Sequence, residues 1–235
     1  MIRPNLLLLH GALGAQDQFD ALVPMLNGDC TVHRLNFEGH GDTSDRGRPF
    51  RTSHFVENVL SYLNEHQIDS THILGYSLGG YVACMLAEGH PDRVSHMVTL
   101  GTRYPWDAAT AEREVSYLNP EQIEAKVPQF ARLLAERHTA LGWKKVVEWT
   151  AELLRANAAE GGLSAKRLSR LEQPIRIIVG DRDSTAGVAE SLDVYRTLQH
   201  GQLEVLPNTP HPFERVDLAR LAQSVRNFCL QSTGT

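Results

Sequence analysis

Cysteine is scarce in this chain of 235 residues, and charge of one sign is never concentrated. The three cysteines (Cys30, Cys84 and Cys229) are odd in number and form no CxxC pair, which excludes a disulfide framework and predicts reduced, buried thiols. The net charge is −5 and the lysines and arginines are scattered. This balance predicts neither nucleic acid nor an anionic membrane as a partner.

Long apolar stretches and metal-binding motifs are also missing. The apolar run Leu6–Leu9 near the N-terminus follows Pro4 and Asn5 and is too short for a signal-peptide core or a membrane span, which favours a cytoplasmic protein. The eleven histidines are dispersed, with no HExxH motif, and no GxGxxG follows the first predicted strand. We therefore expect no metal and no cofactor.

Six short apolar segments alternate with segments of helical spacing. Continuous apolar runs of this length are typical of strands buried on both faces. The predicted strands are Leu6–Leu9, Thr31–Phe37, His72–Leu74, Val94–Leu100, Ile175–Val179 and Leu203–Leu206. The predicted helices are Asp17–Leu26, Ser53–His66, Leu78–Glu88, Val188–Leu198 and Pro212–Leu230. This alternation predicts an α/β fold with a mostly parallel sheet and helices on both faces.

The segment 103–172 interrupts the alternation, because it contains helical patterns and no convincing strand. Asn119 and Pro120 begin one helix as N-cap and first residue, and Pro128 should kink or split it. We expect a core made of residues 1–102 and 173–235 and a helical cap, or lid, made of residues 103–172. Simple packing on the core is the plainer alternative for this segment.

The pentapeptide Gly75-Tyr76-Ser77-Leu78-Gly79 lies between a predicted strand and a predicted helix. A GxSxG sequence in this setting places the serine on a strained turn, and the glycines avoid clashes across it. The helix N-terminus behind Ser77 provides free N–H groups for a developing oxyanion. The pattern predicts a nucleophilic Ser77; the alternative is a serine N-cap whose glycines serve only the turn.

A nucleophilic serine needs a base, and five histidines follow Ser77: His90, His96, His138, His200 and His211. Only His211 lies in the loop between the last predicted strand and the last helix, at a carboxyl end of the sheet where sites form in open α/β folds. The strand Ile175–Val179 ends in Gly180-Asp181-Arg182-Asp183, where two aspartates are candidates for the acid that orients the histidine.

In order and setting, His10-Gly11, Gly39-His40-Gly41, Gly75–Gly80, Asp183 and His211 resemble the α/β-hydrolase superfamily. The resemblance covers nearly the whole chain except the cap, and it implies a compact member that lacks the family's first two antiparallel strands. The family's Gly-x-x-Asp pattern favours Asp183 over Asp181. It also implies an oxyanion hole formed by the backbone N–H groups of Ala12 and Leu78, with Leu13 as a weaker candidate. His10, His40 and Asp42 are expected to be structural.

A serine nucleophile predicts acyl transfer on a small-molecule ester or thioester, with Ser77, His211 and Asp183 as the catalytic triad. Tyr76, Trp143 and Trp149 are candidates for an acyl pocket, with core packing as the alternative. Two other functions stay open. One is carbon–carbon hydrolysis or lyase chemistry similar to that of the menaquinone-pathway synthases. Those relatives carry an arginine where this chain has Tyr81, and Arg103 or an arginine of the lid could take its role. The other is a non-hydrolytic ligand receptor. The sequence predicts no oligomeric state.

Overall fold

The computed structural model describes residues 3–230, so the outermost ends of the predicted core, residues 1–2 and 231–235, lie outside the described residues. Its centre is a six-stranded sheet with the order β2-β1-β3-β4-β5-β6, and every neighbouring pair is parallel. The strands are β1 (Asn5–Leu9), β2 (Thr31–Arg34), β3 (Thr71–Tyr76), β4 (Val94–Leu100), β5 (Ile175–Gly180) and β6 (Gly201–Leu206). The α/β fold class predicted from the sequence is confirmed.

Both faces of the sheet are covered, as the continuous apolar strands require. In β1 the side chains of Leu7 and Leu9 join one apolar core, and those of Leu6 and Leu8 join the other. Successive residues of a strand point to opposite faces, so four leucines in a row supply both cores at once.

Helices α1 to α10 surround the sheet. Their bounds are α1 (Val23–Leu26), α2 (Thr52–Glu65), α3 (Leu78–Gly89), α4 (Ala108–Val115), α5 (Pro120–Lys126), α6 (Pro128–Arg137), α7 (Trp143–Ala159), α8 (Ala165–Leu168), α9 (Val188–Thr197) and α10 (Leu218–Val225). The core that contains Leu7 includes residues of α2, α3 and α9, whereas the core that contains Leu6 includes residues of α1 and α10. Helices therefore cover both faces of the sheet.

Helices α4 to α8 all lie between β4 and β5, in the segment expected to be helical. Helix α5 ends at Lys126 and α6 begins at Pro128, so the proline splits the helix as predicted. The Asn119 side chain accepts a hydrogen bond from the Gln122 N–H and caps α5. Val146, Val147 and Leu153 of α7 are buried in the core that contains Leu7.

Three predicted elements are markedly shorter or divided in the structure. The predicted helix 17–26 is divided into a 3-10 turn at Gln16–Phe19 and α1. Pro24 has no N–H group to donate to the Asp20 carbonyl, as a continuous helix would require, and it lies in the first turn of α1 instead. Strand β2 ends at Arg34, and beyond it the Phe37 N–H donates to the His10 ring instead of to the sheet. The predicted helix 212–230 begins as a 3-10 turn, and α10 starts only after Asp217, whose side chain caps it.

The three cysteines are buried and unpaired, as expected. Among residues 3–230 no helix is both long enough and apolar enough to cross a membrane.

Candidate active site

Ser77 occupies the turn between β3 and α3 with φ 51° and ψ −113°, a conformation that costs a non-glycine residue strain energy. Two hydrogen bonds hold the turn. The Ser77 N–H donates to the Leu100 carbonyl at 2.8 Å, and the Ser77 carbonyl accepts from the Thr102 hydroxyl at 3.1 Å. Both partners lie at the carboxyl end of β4, which therefore fixes the position of the strained serine.

Glycines flank Ser77 because the backbone approaches other chain segments too closely for a side chain. A Cβ at position 79 would lie 2.0 Å from the Leu9 carbonyl oxygen, and one at position 75 would lie 2.5 Å from the backbone of Gly80. These contacts are with backbone atoms, which cannot move aside. The spacing of the GxSxG motif is thus required by the packing of β3 and α3 against β1.

His211 lies between Ser77 and Asp183. Its Nε2 atom is 3.2 Å from the Ser77 Oγ, and its Nδ1 atom is 2.8 Å from the Asp183 Oδ2. The Asp183 side chain is 2% exposed, and its other oxygen accepts hydrogen bonds from the N–H groups of Thr185 and Ala186, each at 2.8 Å. The three residues predicted from the sequence therefore come together in hydrogen-bonding order.

Asp181, the competing aspartate, does not contact the histidine side chain. Its Oδ1 accepts the backbone N–H of Thr209 at 3.1 Å and so holds the loop that precedes His211. Asp181 therefore stabilises the loop, whereas Asp183 contacts the histidine ring.

Two further residues contact this group, and sequence reasoning did not assign them this position. The Tyr76 hydroxyl donates to the His211 carbonyl at 3.0 Å. Gly101 follows β4 with φ 58°, and a Cβ there would lie 3.1 Å from the Asp183 Oδ2 and 3.3 Å from the His211 Nδ1. A glycine directly after a strand adjoining β3 was the available signal for this close approach.

Ala12 and Leu78 line the same cavity as Ser77, and their backbone N–H groups are the expected oxyanion donors. Within residues 3–230 neither N–H has a hydrogen-bond partner. Ala12 and Leu13 are the central residues of a turn closed by the bond from the Gly14 N–H to the Gly11 carbonyl at 3.0 Å, and Leu13 has φ 57°. The loop after β1 and the start of α3 thus leave two free donors beside the serine.

His138 joins this turn to the helical segment. Its Nδ1 accepts the Gly41 N–H at 3.1 Å, so its Nε2 carries the proton and donates to the Leu13 carbonyl at 3.0 Å. Arg137, at the end of α6, forms an ion pair with Asp17 at 3.0 Å. Side chains at the C-terminal end of α6 therefore hold the loop that bears Ala12.

His10 and His40 are buried beside His138 and have structural contacts. The His10 Nε2 accepts the Phe37 N–H at 3.2 Å and its Nδ1 donates to the Gly11 carbonyl at 2.9 Å. The His40 Nδ1 donates to the Glu38 carbonyl at 3.2 Å, and its ring stacks on that of Phe50. Burial lowers the pKa of His10 from 6.5 to about 3 and also lowers the pKa values of His40 and His138. All three are neutral near pH 7.

A cavity of about 230 Å³ opens onto Ser77 and His211. It is lined by Ala12, Leu13, Tyr76, Ser77, Leu78, Tyr81, Arg103, Trp106, Glu114, Tyr117, Leu118, Thr150, Leu154, Asn157, Thr185 and His211. Tyr76, one of the candidates for an acyl pocket, is among these lining residues. Trp143 and Trp149 are not among these lining residues: Trp149 packs edge-on against Phe50, and Trp143 borders a separate surface pocket with Pro128. Trp106, in contrast, lines the cavity that contains Ser77.

Metal chemistry has no matching side-chain cluster in the described part of the chain. Residues 3–230 contain no group of three or more histidine, cysteine, aspartate or glutamate residues that could hold a metal ion.

Comparison with known proteins identifies the fold family of this chain. The model of the alpha/beta hydrolase fold family matches residues 4–153. The pimeloyl-[acyl-carrier protein] methyl ester esterase of Neisseria meningitidis serogroup B is 27% identical over 227 residues, which cover 88% of this chain and 85% of the relative. An alpha/beta hydrolase enzyme from a Medee basin deep-sea metagenome library shares the fold, with a TM-score of 0.82 and 18% identity over 99% of this chain and 91% of that one.

A third relative is matched over a shorter segment. The pyrrolizixenacetamide deacetylase of Xenorhabdus hominickii is 31% identical over 99 residues, which are 42% of this chain. The match spans only 37% of the length of that relative. The family model, in contrast, covers more than half of this chain. The chain therefore belongs to the α/β-hydrolase family and is a hydrolase.

Proposed function

We propose that the protein is a serine hydrolase that cleaves a small-molecule carboxylic ester or thioester through an acyl-enzyme. The observation that carries this proposal is the position of His211, 3.2 Å from the Ser77 hydroxyl and 2.8 Å from the Asp183 carboxylate. A serine hydroxyl is a weak nucleophile until a neighbouring base accepts its proton, and a carboxylate on the far nitrogen keeps the imidazole in the required tautomer.

In the proposed cycle the His211 Nε2 accepts the Ser77 proton while the Ser77 Oγ forms a bond to the substrate carbonyl carbon. The carbonyl electron pair moves to oxygen, and the free N–H groups of Ala12 and Leu78 stabilise the resulting oxyanion. The tetrahedral intermediate collapses, the bond to the alcohol or thiol breaks, and the leaving group takes the proton from His211. Water, deprotonated by His211, then releases the acid from Ser77 by the same steps in reverse.

We propose that residues 103–172 act as a cap that supplies one wall of the substrate site. Trp106, Tyr117 and Leu154 from this segment face the same cavity as Ser77 and Leu78 from the core, residues 1–102 and 173–235. A cap that closes this wall excludes water from the oxyanion, which strengthens the hydrogen bonds from Ala12 and Leu78. Most of the surface area that lines the cavity is apolar, although several polar side chains contribute to it, and such a surface suits a short acyl or alkyl group.

Ester cleavage is the preferred chemistry because the relative matched over 88% of the chain is named as a methyl ester esterase. For this chain we propose only the reaction class, which is ester cleavage. The pimeloyl group and the acyl-carrier protein belong to the name of the relative. A small-molecule substrate is consistent with the size of the cavity. No cofactor takes part in the proposed cycle.

Hydrolysis of p-nitrophenyl esters of increasing chain length tests the proposal. Wild type should hydrolyse the short members, and Ser77→Ala should abolish turnover. Asp183→Asn should lower kcat by about 10⁴-fold, because the amide favours the wrong histidine tautomer. Asp181→Asn is the matched control. An asparagine there can still accept the Thr209 N–H, so this variant should remain close to wild type.

Labelling by a fluorophosphonate probe distinguishes the alternative functions. Labelling of wild type, but not of Ser77→Ala, together with no turnover of any ester would shift the assignment to carbon–carbon hydrolysis or lyase chemistry. Absence of labelling would rule out an activated serine and favour a ligand receptor.

A further inference from the structure

The side chain of Tyr76 connects the strand before Ser77 to the loop that carries His211. Its hydroxyl donates a hydrogen bond to the main-chain carbonyl of His211 at 3.0 Å. Tyr76 is the last residue of β3, whereas His211 lies in the loop after β6, and β4 and β5 separate these two strands in the sheet. One tyrosine therefore joins the strand that leads to the nucleophile to the loop that bears the base.

The main chain at His211 has few other attachments. Pro210 and Pro212 flank the histidine, and neither has an N–H group with which to anchor the segment. The nearest upstream residue whose main chain is held by hydrogen bonds to another segment is Thr209. Within residues 3–230 the Tyr76 hydroxyl is the one hydrogen-bond partner of the His211 main chain. The position of the imidazole therefore depends on this bond.

Packing holds the tyrosine itself in place. Tyr76 is 6% exposed, and its ring lies against the rings of His211 and Phe213, with centroids 5.5 and 5.3 Å away. A Cβ at Gly11 would lie 2.7 Å from the tyrosine ring, so the loop after β1 packs closely against it. Burial raises the pKa of Tyr76, so the hydroxyl keeps its proton and remains a donor near neutral pH.

We propose that Tyr76 is a positioning residue whose hydroxyl fixes the His211 main chain and so keeps the imidazole between Ser77 and Asp183. It acts through the loop and not on the reacting carbonyl group. The inference rests on the proposed function, because it assigns a role in the same catalytic set. The acyl-pocket role predicted for Tyr76 is the alternative, in which its ring governs the affinity for substrate.

Tyr76→Phe tests the role, because it removes the hydroxyl and keeps the ring at the cavity. In hydrolysis of p-nitrophenyl esters, kcat per folded molecule should fall about tenfold and KM should change less than about twofold. A misplaced base slows proton transfer in both acylation and deacylation, so the decrease should be the same for short and long esters. A change confined to KM that grows with chain length would overturn the proposal.

Tyr104→Phe is the matched control. The Tyr104 hydroxyl is buried and shares a hydrogen bond of 2.6 Å with the Thr99 hydroxyl, away from the proposed triad. Both variants lose one tyrosine hydroxyl bond and should lose a similar part of their stability. Only Tyr76→Phe should lose kcat per folded molecule. Equal losses of kcat in the two variants would contradict a specific role for Tyr76.

The hydrogen bond from the His211 Nδ1 to Asp183 gives a measurement that is independent of turnover. Its proton should produce a proton NMR signal downfield of the backbone amides, because the acceptor is a carboxylate. Tyr76→Phe should shift or broaden this signal, and Tyr104→Phe should leave it unchanged. An identical signal in wild type and Tyr76→Phe would overturn the proposal.

The outcomes for the two proposals can be separated. A changed proton signal in Tyr76→Phe without ester turnover in wild type would retain the positioning role and reject the hydrolase proposal. Ester turnover in wild type, with kcat and the proton signal unchanged in Tyr76→Phe, would do the reverse.

Discussion

Gly101 combines a positive φ with close contacts to two residues of the proposed triad. Its φ of 58° favours glycine, and a side chain there would press on Asp183 and His211. The carboxyl end of β4 therefore needs a residue without a Cβ for the acid and the base to approach each other.

Gly101→Ala should lower kcat/KM about a hundredfold, because a small displacement of the base misaligns proton transfer. Gly47→Ala is the matched control. Gly47 has a similar φ of 66°, and its added Cβ would meet no atom within 4 Å. Each variant should lose about 1 kcal/mol of unfolding free energy, but only Gly101→Ala should lose activity per folded molecule. Equal activity in the two variants would contradict the role given to Gly101.

Between structural elements, His138 is the contact that links the helical segment to the proposed oxyanion hole. It connects the end of α6 to the Leu13 carbonyl and to the Gly41 N–H. Because Leu13 follows Ala12 in a turn with positive φ, the position of the Ala12 donor depends on this buried side chain.

His138→Gln should lower kcat about tenfold with little change in KM, because a displaced oxyanion donor weakens transition-state binding more than substrate binding. The assay is steady-state hydrolysis of the best p-nitrophenyl ester. His66→Gln, a substitution of an exposed histidine, is the control and should retain full activity. A His138 variant that loses stability but retains kcat per folded molecule would show that the contact is structural only.

Across the whole molecule, buried neutral histidines make the free energy of unfolding depend on pH. The pKa of His10 is lowered to about 3, and those of His40 and His138 are lowered as well, by burial in each case. The unfolded chain binds protons at these sites near pH 6.5, whereas the folded protein binds them only at lower pH. Protonation therefore favours the unfolded state, and stability falls as pH decreases through that value.

The free energy of unfolding should decrease between about pH 6.5 and pH 5, by up to about 1.4 kcal/mol per pH unit for each of these histidines. Urea denaturation at a series of pH values measures this slope. His40→Phe should flatten it, because His40 already stacks on Phe50 and phenylalanine binds no proton. A wild-type curve that is flat in this range would refute the explanation.

The sheet order explains why so much of the site was predictable from the chain. Ser77, Asp183 and His211 follow β3, β5 and β6, and Gly101 follows the intervening β4. In parallel neighbouring strands, all carboxyl ends meet at one edge, so residues after successive strands converge without further information. The assignment of Asp183 over Asp181 came from a family resemblance, and the hydrogen bonds to His211 and Thr209 agree with it.

The pocket wall was less predictable. Trp143 and Trp149 have the same helical setting that an acyl pocket would require, yet Trp106 reaches the cavity and they do not. Likewise His138 was one of five candidate bases, and its contact with Leu13 crosses 125 positions of the chain. Apolar faces of similar width can pack at several angles, so spacing alone does not say which side chain turns inward.

The amino-acid sequence by itself determined the order of strands and helices and the strained turn at Ser77. It also limited the candidates for the base and the acid to a few histidines and two aspartates. These features depend on local periodicity and on turn chemistry, which neighbouring residues encode directly. The tertiary structure decided which side of the helical segment faces the cavity and how His138 supports the Ala12 turn. Those contacts join distant segments and result from how whole side-chain surfaces fit together, which local sequence does not specify.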